Sequence, residues 1–517
     1  MGSINVELDA ALSAGESPSA AAFLELCAFL LPATTAEPTL DSNLFELGAD
    51  SLTITALAAE IQARWNVVLD PSDLFLAEDL AEVYSRLTAE RDGDPPAALP
   101  ARPPGPPQES WAQLARLRPD GPWAGPGPRG ATVEVDVRVT GRLDEERLRG
   151  ALRAVATRHE VLRTFLGPAG ELALHDSPSV LLDAVDERPA THPTTHGTGT
   201  SGALWRARLE AAHGHTELSL SLDRLVADEG SVPILLADLA RAYNSGATTL
   251  AAAAPGFYDW AAWQRATYPA ERAGAPAAAR PVARLAARTR WPAGSLVALS
   301  RLAEQCGVGL DDVLTLLLGL TLGRSDASGA PVRVCVPLDN RDDPRTRELV
   351  GPVHTRALLT LVPDGTVPVT EVLRAVRRER DDRAAFASAP YGSHQPRSGD
   401  PTDTPAADAP LALVCLRTGI AGTIQLGGAR GGWRIRADQP GYLDVPLALE
   451  GTPDDDGNLD LVLWHDPGHY DGEPAERLLG ELTRLAESLL TRRNQPVARL
   501  LDGLTRTQHG EPADGGR

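Results

Sequence analysis

Between Arg91 and Glu109 the chain reads RDGDPPAALPARPPGPPQE, with seven prolines, two glycines and almost no bulky apolar side chain. Each proline fixes φ and removes a backbone donor, so neither a helix interior nor a central strand can run through it. An extended, semi-rigid spacer of up to ~3 Å per residue is expected over 91–109. It separates a small unit, residues 18–90, from a large one. The 517 residues exceed one ordinary domain; about three or four compact units suit this length. A second, softer spacer rich in Ala, Pro and Arg lies around Gly274–Arg290. It is expected to divide the large unit into lobes at 110–285 and 286–505, leaving 506–517 as a disordered tail.

The composition, 43% hydrophobic and 23% charged, is that of a globular protein with sizeable cores. There is no apolar run of about 18 residues and no basic, then apolar, start. The chain is therefore expected to be cytoplasmic, with no membrane partner, and monomeric. The net charge is −21, and a nucleic-acid partner, which needs a basic excess, is not expected. All 49 basic residues are Arg, so no lysine Schiff base or lysine nucleophile is available. Cys27, Cys306, Cys335 and Cys415 stand far apart, which speaks against a metal knuckle or disulfides. No metal is expected.

Hydrophobic spacing gives the elements. In the small unit Phe23, Leu24, Cys27, Leu30 and Leu31 form one helical stripe. Ile54, Leu57, Ile61 and Trp65 form a second, and Leu80, Val83, Tyr84 and Leu87 a third. A small helical bundle follows. The large unit mixes types. Ala131–Thr140 and Glu217–Leu222 alternate as half-buried strands, and Val332–Pro337 and Leu411–Leu416 read as buried strands. Leu143–Arg158, Val232–Tyr243, Leu310–Leu322 and Glu476–Leu490 read as helices.

Residues 43–52 read NLFELGADSL. Gly48 permits a turn, and Asp50 and Ser51 open the helix bearing Leu57 and Ile61. Taken locally, the Asp-Ser pair is either a plain N-cap or a hydroxyl placed where a phosphate is stabilised by the helix N-terminus. The segment resembles the peptidyl carrier proteins of nonribosomal peptide synthetases, whose signature is Leu-Gly-Gly/Ala-Asp-Ser-Leu. Leu47, Gly48, Ala49, Asp50, Ser51 and Leu52 match it throughout, and Asn43 to Glu46 fit upstream. The resemblance covers residues 18–90. It implies that Ser51, between Asp50 and Leu52, receives 4′-phosphopantetheine from a phosphopantetheinyl transferase. The arm then carries an aminoacyl or peptidyl thioester.

The large unit resembles a condensation domain of the same synthetases. Arg158 to Phe165 match its RHExLRTxF element, Phe257 to Gln264 its YxDYAxWQ element, Val336 to Arg341 its TPxANR element, and Val350-Gly351 the pair that follows. The resemblance spans about residues 110–505. It implies an α+β chain: an all-α carrier bundle, then two chloramphenicol-acetyltransferase-like α/β lobes in a V with a tunnel between them for two pantetheine arms. The family's His-His-x-x-x-Asp-Gly element falls on Asp223, Arg224, Leu225, Val226, Ala227, Asp228 and Glu229. Both histidines are absent, and Glu229 replaces the glycine. Amide formation from a thioester suits a neutral imidazole; Arg224, with a pKa above ~12, accepts no proton at pH 7. Asp223 is expected to be a weak base because the adjacent guanidinium lowers its pKa. Asp228 is expected to pair structurally with Arg341, as the family's Asp does. His354, in Val353-His354-Thr355, is a candidate replacement base.

Two readings follow. In the first the unit is a binding platform resembling the X domains of glycopeptide-antibiotic synthetases, which carry Arg and an acid at the positions of Arg224 and Glu229. That implies recruitment of a tailoring enzyme of the cytochrome P450 type to the chain held on Ser51, or of a partner module. In the second, a stand-alone carrier–condensation didomain still forms a peptide bond in trans, with a downstream carrier, through altered residues. In both, an adenylation domain or upstream module acting in trans is expected to load Ser51.

Overall fold

The computed structural model describes residues 18–30, 38–44, 47, 49, 57, 61, 65, 67, 69, 74, 77, 79–92, 99–117, 132–167, 171–177, 182–185, 204–246 without 213, 249–268 without 254, 285–325, 331–361 without 344, 365–384, 411–417, 421–436, 445–467 without 455, and 472–505. The chain forms two compact units, Met1–Ala97 and Ala98–Arg517.

In the first unit, helices α1 (Ala20–Leu30) and α2 (Leu80–Asp92) carry apolar stripes. Phe23, Leu26 and Cys27 of α1 meet Leu80, Val83 and Leu87 of α2, together with Leu44, Leu57, Ile61 and Leu74, in one core. Leu57, Ile61 and Trp65 are helical. Ile54 and Leu31, read as parts of the stripes, lie outside the described residues. The 38–44 segment is tied to the start of α2 by Leu80 N donating to Ser42 O and Ala81 N to Leu40 O.

Among the described residues the second unit has two six-stranded mixed sheets and a two-stranded ribbon, β2 (Thr164–Leu166) with β3 (Leu172–Leu174). The first large sheet uses β1 (Thr132–Thr140), β4 (Leu182–Val185), β5 (Trp205–Ala212), β6 (His215–Asp223), β11 (Ala421–Leu426) and β12 (Ala429–Ile435), in the order β11-β12-β1-β6-β5-β4. The second uses β7 (Leu285–Trp291), β8 (Val332–Leu338), β9 (Thr355–Leu361), β10 (Leu411–Leu416), β13 (Leu447–Pro453) and β14 (Leu459–His465), in the order β7-β14-β13-β10-β8-β9. The alternation in β1 puts Val133, Val135, Val137 and Val139 into the core, where they pack with Leu148, Leu152 and Val155 of α4 (Glu145–Arg158) and Leu235 and Leu239 of α5 (Ser231–Ser245). In the second lobe, helices α7 (Ala293–Cys306), α8 (Leu310–Ser325), α9 (Val369–Ala384) and α10 (Gly472–Arg492) cover the sheet. β10 is buried and parallel to both of its neighbours, so it reads as a continuous apolar run.

Three expectations from the sequence need correction. The lobes are not contiguous at residue 285: the β11–β12 hairpin comes from the later part of the chain yet pairs with β1, from Val135↔Ile435 to Val139↔Gly431. Its glycine-rich sequence hides the strand period, and the glycine is required, because a Cβ on Gly431 would lie 1.8 Å from the Arg138 carbonyl oxygen. Residues 285–290, read as spacer, are an edge strand running antiparallel to β14. The end of the proline-rich stretch is a strap rather than a free spacer. Leu99 is buried in the first lobe's core. The Arg102 Nη1 donates to both oxygens of Glu160 at 2.7 Å, and the Arg102 N donates to Asp259 Oδ1 at 3.0 Å.

Among the described residues no single helix is long and apolar enough to cross a membrane. The α7–α8 pair would pass only together, bent by 100°, and its apolar residues sit in the second lobe's core.

Candidate functional site

The site is the turn joining β6 to α5. β6 ends at Asp223, opposite Thr132 of β1. The Asp223 carbonyl accepts from Val226 N and Ala227 N, and its Oδ1 accepts from Leu225 N at 2.8 Å. Leu225, Val226 and Ala227 are buried, which fixes the turn from below. The side-chain amide of Gln113, on α3 (Trp111–Leu117), donates to Leu225 O at 2.8 Å and holds it from the side. Asp223 therefore serves first as a backbone cap. Its expected low pKa is also corrected. Burial pushes the carboxyl above its ordinary value, outweighing the Leu225 N–H and the Arg116 and Arg224 guanidinium groups.

Arg224 does not project alone. Its Nη2 and Nη1 grip Glu229 Oε1 and Oε2 at 2.5 and 3.1 Å, a two-pronged ion pair across the turn. Burial opposes the Glu229 charge, but Arg224, with help from His354 and Arg417, prevails and holds the carboxyl far below its usual range. Burial likewise opposes the Arg224 charge, and Glu229 overcomes it and raises the guanidinium pKa. No proton is exchanged by either partner near neutral pH.

Asp228, five residues on from Asp223 in the same turn, is 1% exposed. Its Oδ1 accepts from Ser231 N at 2.9 Å, Ser231 Oγ at 2.7 Å and Arg341 Nη2 at 2.7 Å. Its Oδ2 accepts from Arg341 Nη1 at 3.2 Å, Val353 N at 3.0 Å and His354 N at 3.1 Å, and faces His354 Nδ1 at 3.2 Å. Burial alone would raise this carboxyl; Arg341 and His354 hold it well below the carboxylate range. Arg341 also donates to the carbonyls of Leu349 and Gly351. Gly351 sits at φ +146°, and a Cβ there would strike the Phe257 ring at 2.2 Å. Asp228 thus joins the β6–α5 turn to the 340–354 segment, bringing together four positions singled out in the sequence: Asp228, Arg341, Gly351 and His354.

Other charges gather nearby that the sequence reading missed. Arg417, just past β10, reaches Glu450 at 3.2 Å, and the Trp464 indole N–H donates to the same carboxylate at 2.9 Å. Arg116 on α3 is brought down to about 10 by burial and by the Arg224 and Arg356 charges. These residues come from segments up to 334 positions apart, from Arg116 to Glu450, and no local motif marks them. His159 Nε2 pairs with buried Asp238 at 2.8 Å and holds α4 to α5. His394 and His469 lie outside the described residues, as do Asp50, Ser51 and Leu52. The described residues on either side of the latter three, Ala49 and Leu57, are both buried in the carrier core.

A family model described as "Phosphopantetheine attachment site" matches residues 21–87. The non-canonical nonribosomal peptide synthetase CymA of Salinispora arenicola, itself described as probable, is 26% identical over 89% of this chain and 6% of its own length. The chain spans between 2% and 28% of the length of such curated relatives. The second unit is similar in fold to the X-domain crystallised with OxyB from teicoplanin biosynthesis (TM-score 0.60, 21% identity, 79% of this chain and 98% of that one). It is also similar to the first condensation domain of the calcium-dependent antibiotic synthetase (TM-score 0.55, 19% identity, 77% and 99%). The chain therefore carries a phosphopantetheine-attachment carrier region at residues 21–87, followed by a unit with the condensation-domain fold.

Proposed function

We propose that Ser51 bears the phosphopantetheine arm and that the condensation-like domain is a docking platform, presenting the carrier-held chain to a partner. When bound, the arm supplies a thiol that holds an aminoacyl or peptidyl group as a thioester. The observation that carries the platform reading is the Arg224–Glu229 pair. Where the family places an imidazole, this chain places a guanidinium whose donors are committed to a carboxylate that stays ionised. Neither group takes a proton from an attacking amine, and Asp223 spends its Oδ1 on the turn. The likeness to an X-domain crystallised with OxyB supports a partner of the cytochrome P450 type. A phosphopantetheinyl transferase and a loading module are the other partners of this reading.

The test is direct titration. The full chain, with Ser51 carrying a peptidyl arm, is mixed with a cytochrome P450 of the same biosynthetic cluster, and binding is read by calorimetry and by the haem absorbance. Association that survives Arg224→Ala is expected. Absence of association with both the peptidyl and the unmodified chain would contradict the platform reading.

A further inference from the structure

We propose that His354 is a proton acceptor in this domain, displaced from the turn that usually supplies one, and that it supports acyl transfer from a thioester to an amine. This rests on the reading above only in that a thioester is presented to this site.

Asp228 is ionised and can only accept hydrogen bonds. It faces His354 Nδ1 at 3.2 Å, so in the neutral ring the proton sits on Nδ1 and the lone pair on Nε2. The backbone fixes the ring as well: Val353 N and His354 N both donate to the same Asp228 oxygen. Among the described residues Nε2 has no hydrogen-bond partner. The His354 side chain is 28% exposed, while the Asp228 carboxylate that it faces is 1% exposed. Arg224 and Glu229 are committed to each other, whereas the partly exposed imidazole keeps an uncommitted lone pair. A buried carboxylate that orients an imidazole through Nδ1 and leaves Nε2 free is the arrangement used for general-base catalysis. Here the carboxylate comes from the β6–α5 turn and the imidazole from the start of the β9 side.

The step balances without a metal or a redox partner. The amine nitrogen bonds to the thioester carbonyl carbon, Nε2 takes the ammonium proton, the C–S bond breaks, and the proton passes from Nε2 to the leaving thiolate. Such a step would bring bond formation in trans back within this domain, by a residue other than those of the turn.

The test uses the full chain, a free aminoacyl N-acetylcysteamine thioester and an amine acceptor, so that loading of Ser51 does not enter. His354→Asn retains a side-chain donor toward Asp228 but has no basic nitrogen. We expect a loss of about 10²-fold in transfer rate, unchanged melting, and recovery of the rate on adding free imidazole. In ¹⁵N NMR of the unmodified chain, the His354 ring should carry its proton on Nδ1. Equal rates for His354→Asn and the native chain, no transfer by the native chain, or a proton found on Nε2 would overturn the proposal. The partner titration is independent of this assay: equal transfer rates for His354→Asn and the native chain, with P450 binding intact, overturn this inference alone.

Discussion

Replacing Asp228 by Asn removes one charge from a site where a second is buried with it. Asp228 and Arg341 have side chains 1% and 9% exposed and share two hydrogen bonds at 2.7 and 3.2 Å. An exposed pair would contribute under about 1 kcal/mol; removing one partner of a buried pair leaves the other charge uncompensated and costs about 3–5 kcal/mol. Asp228→Asn is placed in that range. Arg341→Met should fall at its lower end, because the carboxylate keeps Ser231, Val353 and His354 as donors. The double variant should cost less than the sum of the singles by about 1–3 kcal/mol, because neither charge is then left buried alone. Urea unfolding followed by tryptophan fluorescence suits the measurement, since of the nine tryptophans only Trp65 precedes residue 98. The pH dependence has a definite sign. Asp228 is depressed in the folded chain and ionises near 3.9 when unfolded. Its contribution is therefore present above about pH 4 and is lost as pH falls toward the folded value. The deficit of Asp228→Asn should be constant from pH 6 to 8 and shrink in acid. Single variants that each cost under 1 kcal/mol, or costs that simply add in the double, would refute the reasoning.

Ser51→Ala should abolish the mass increase on treatment with a phosphopantetheinyl transferase and coenzyme A; a chain still modified would place the attachment elsewhere. Gly431→Ala drives a methyl group into the Arg138 carbonyl, so hydrogen exchange of the β1 and β12 amides should accelerate, with a cost of about 1–3 kcal/mol; unchanged exchange would show that the strands part without penalty. Arg102→Ala removes the guanidinium grip on Glu160 and leaves the backbone bond to Asp259 in place, and limited proteolysis should cut faster between residues 99 and 108; equal cleavage rates would mean the side-chain anchor does not hold.

What could be read from the sequence divides along physical lines. Elements with a clean period were legible: the valine alternation of β1, the apolar run of β10, and the stripes of α1 and α2 each encode their own burial. Elements whose burial depends on a distant partner were not. The β11–β12 hairpin shows no hydrophobic period because glycine stands where Gly431 meets the Arg138 backbone and Gly422 the Trp433 ring, and β7, at a sheet edge with exposed Arg and Ala, looked like a spacer. The proline-rich stretch was read for what proline forbids, and the strap was missed because its anchor, Glu160, lies 58 residues on from Arg102. At the site, Asp228 and Arg341 could be found from motif order. The grip of Arg224 on Glu229 and the upward shift of Asp223 could not, because both depend on how deeply the turn is buried. Arg417 and Glu450 left no signal in the sequence near the turn they approach.

The central claim is that the β6–α5 turn supplies structure and charge pairing, and no proton transfer. It is tested most directly by charging Ser51 with an aminoacyl arm, supplying a second aminoacyl carrier, and following any joined product by mass spectrometry in the native, Asp223→Ala and Arg224→Ala chains, each first shown to fold. The account predicts that neither substitution lowers the rate of product formation by more than about twofold, well short of the ~10²-fold that loss of a general base would give. A joined product formed by the native chain and lost on Asp223→Ala would contradict it.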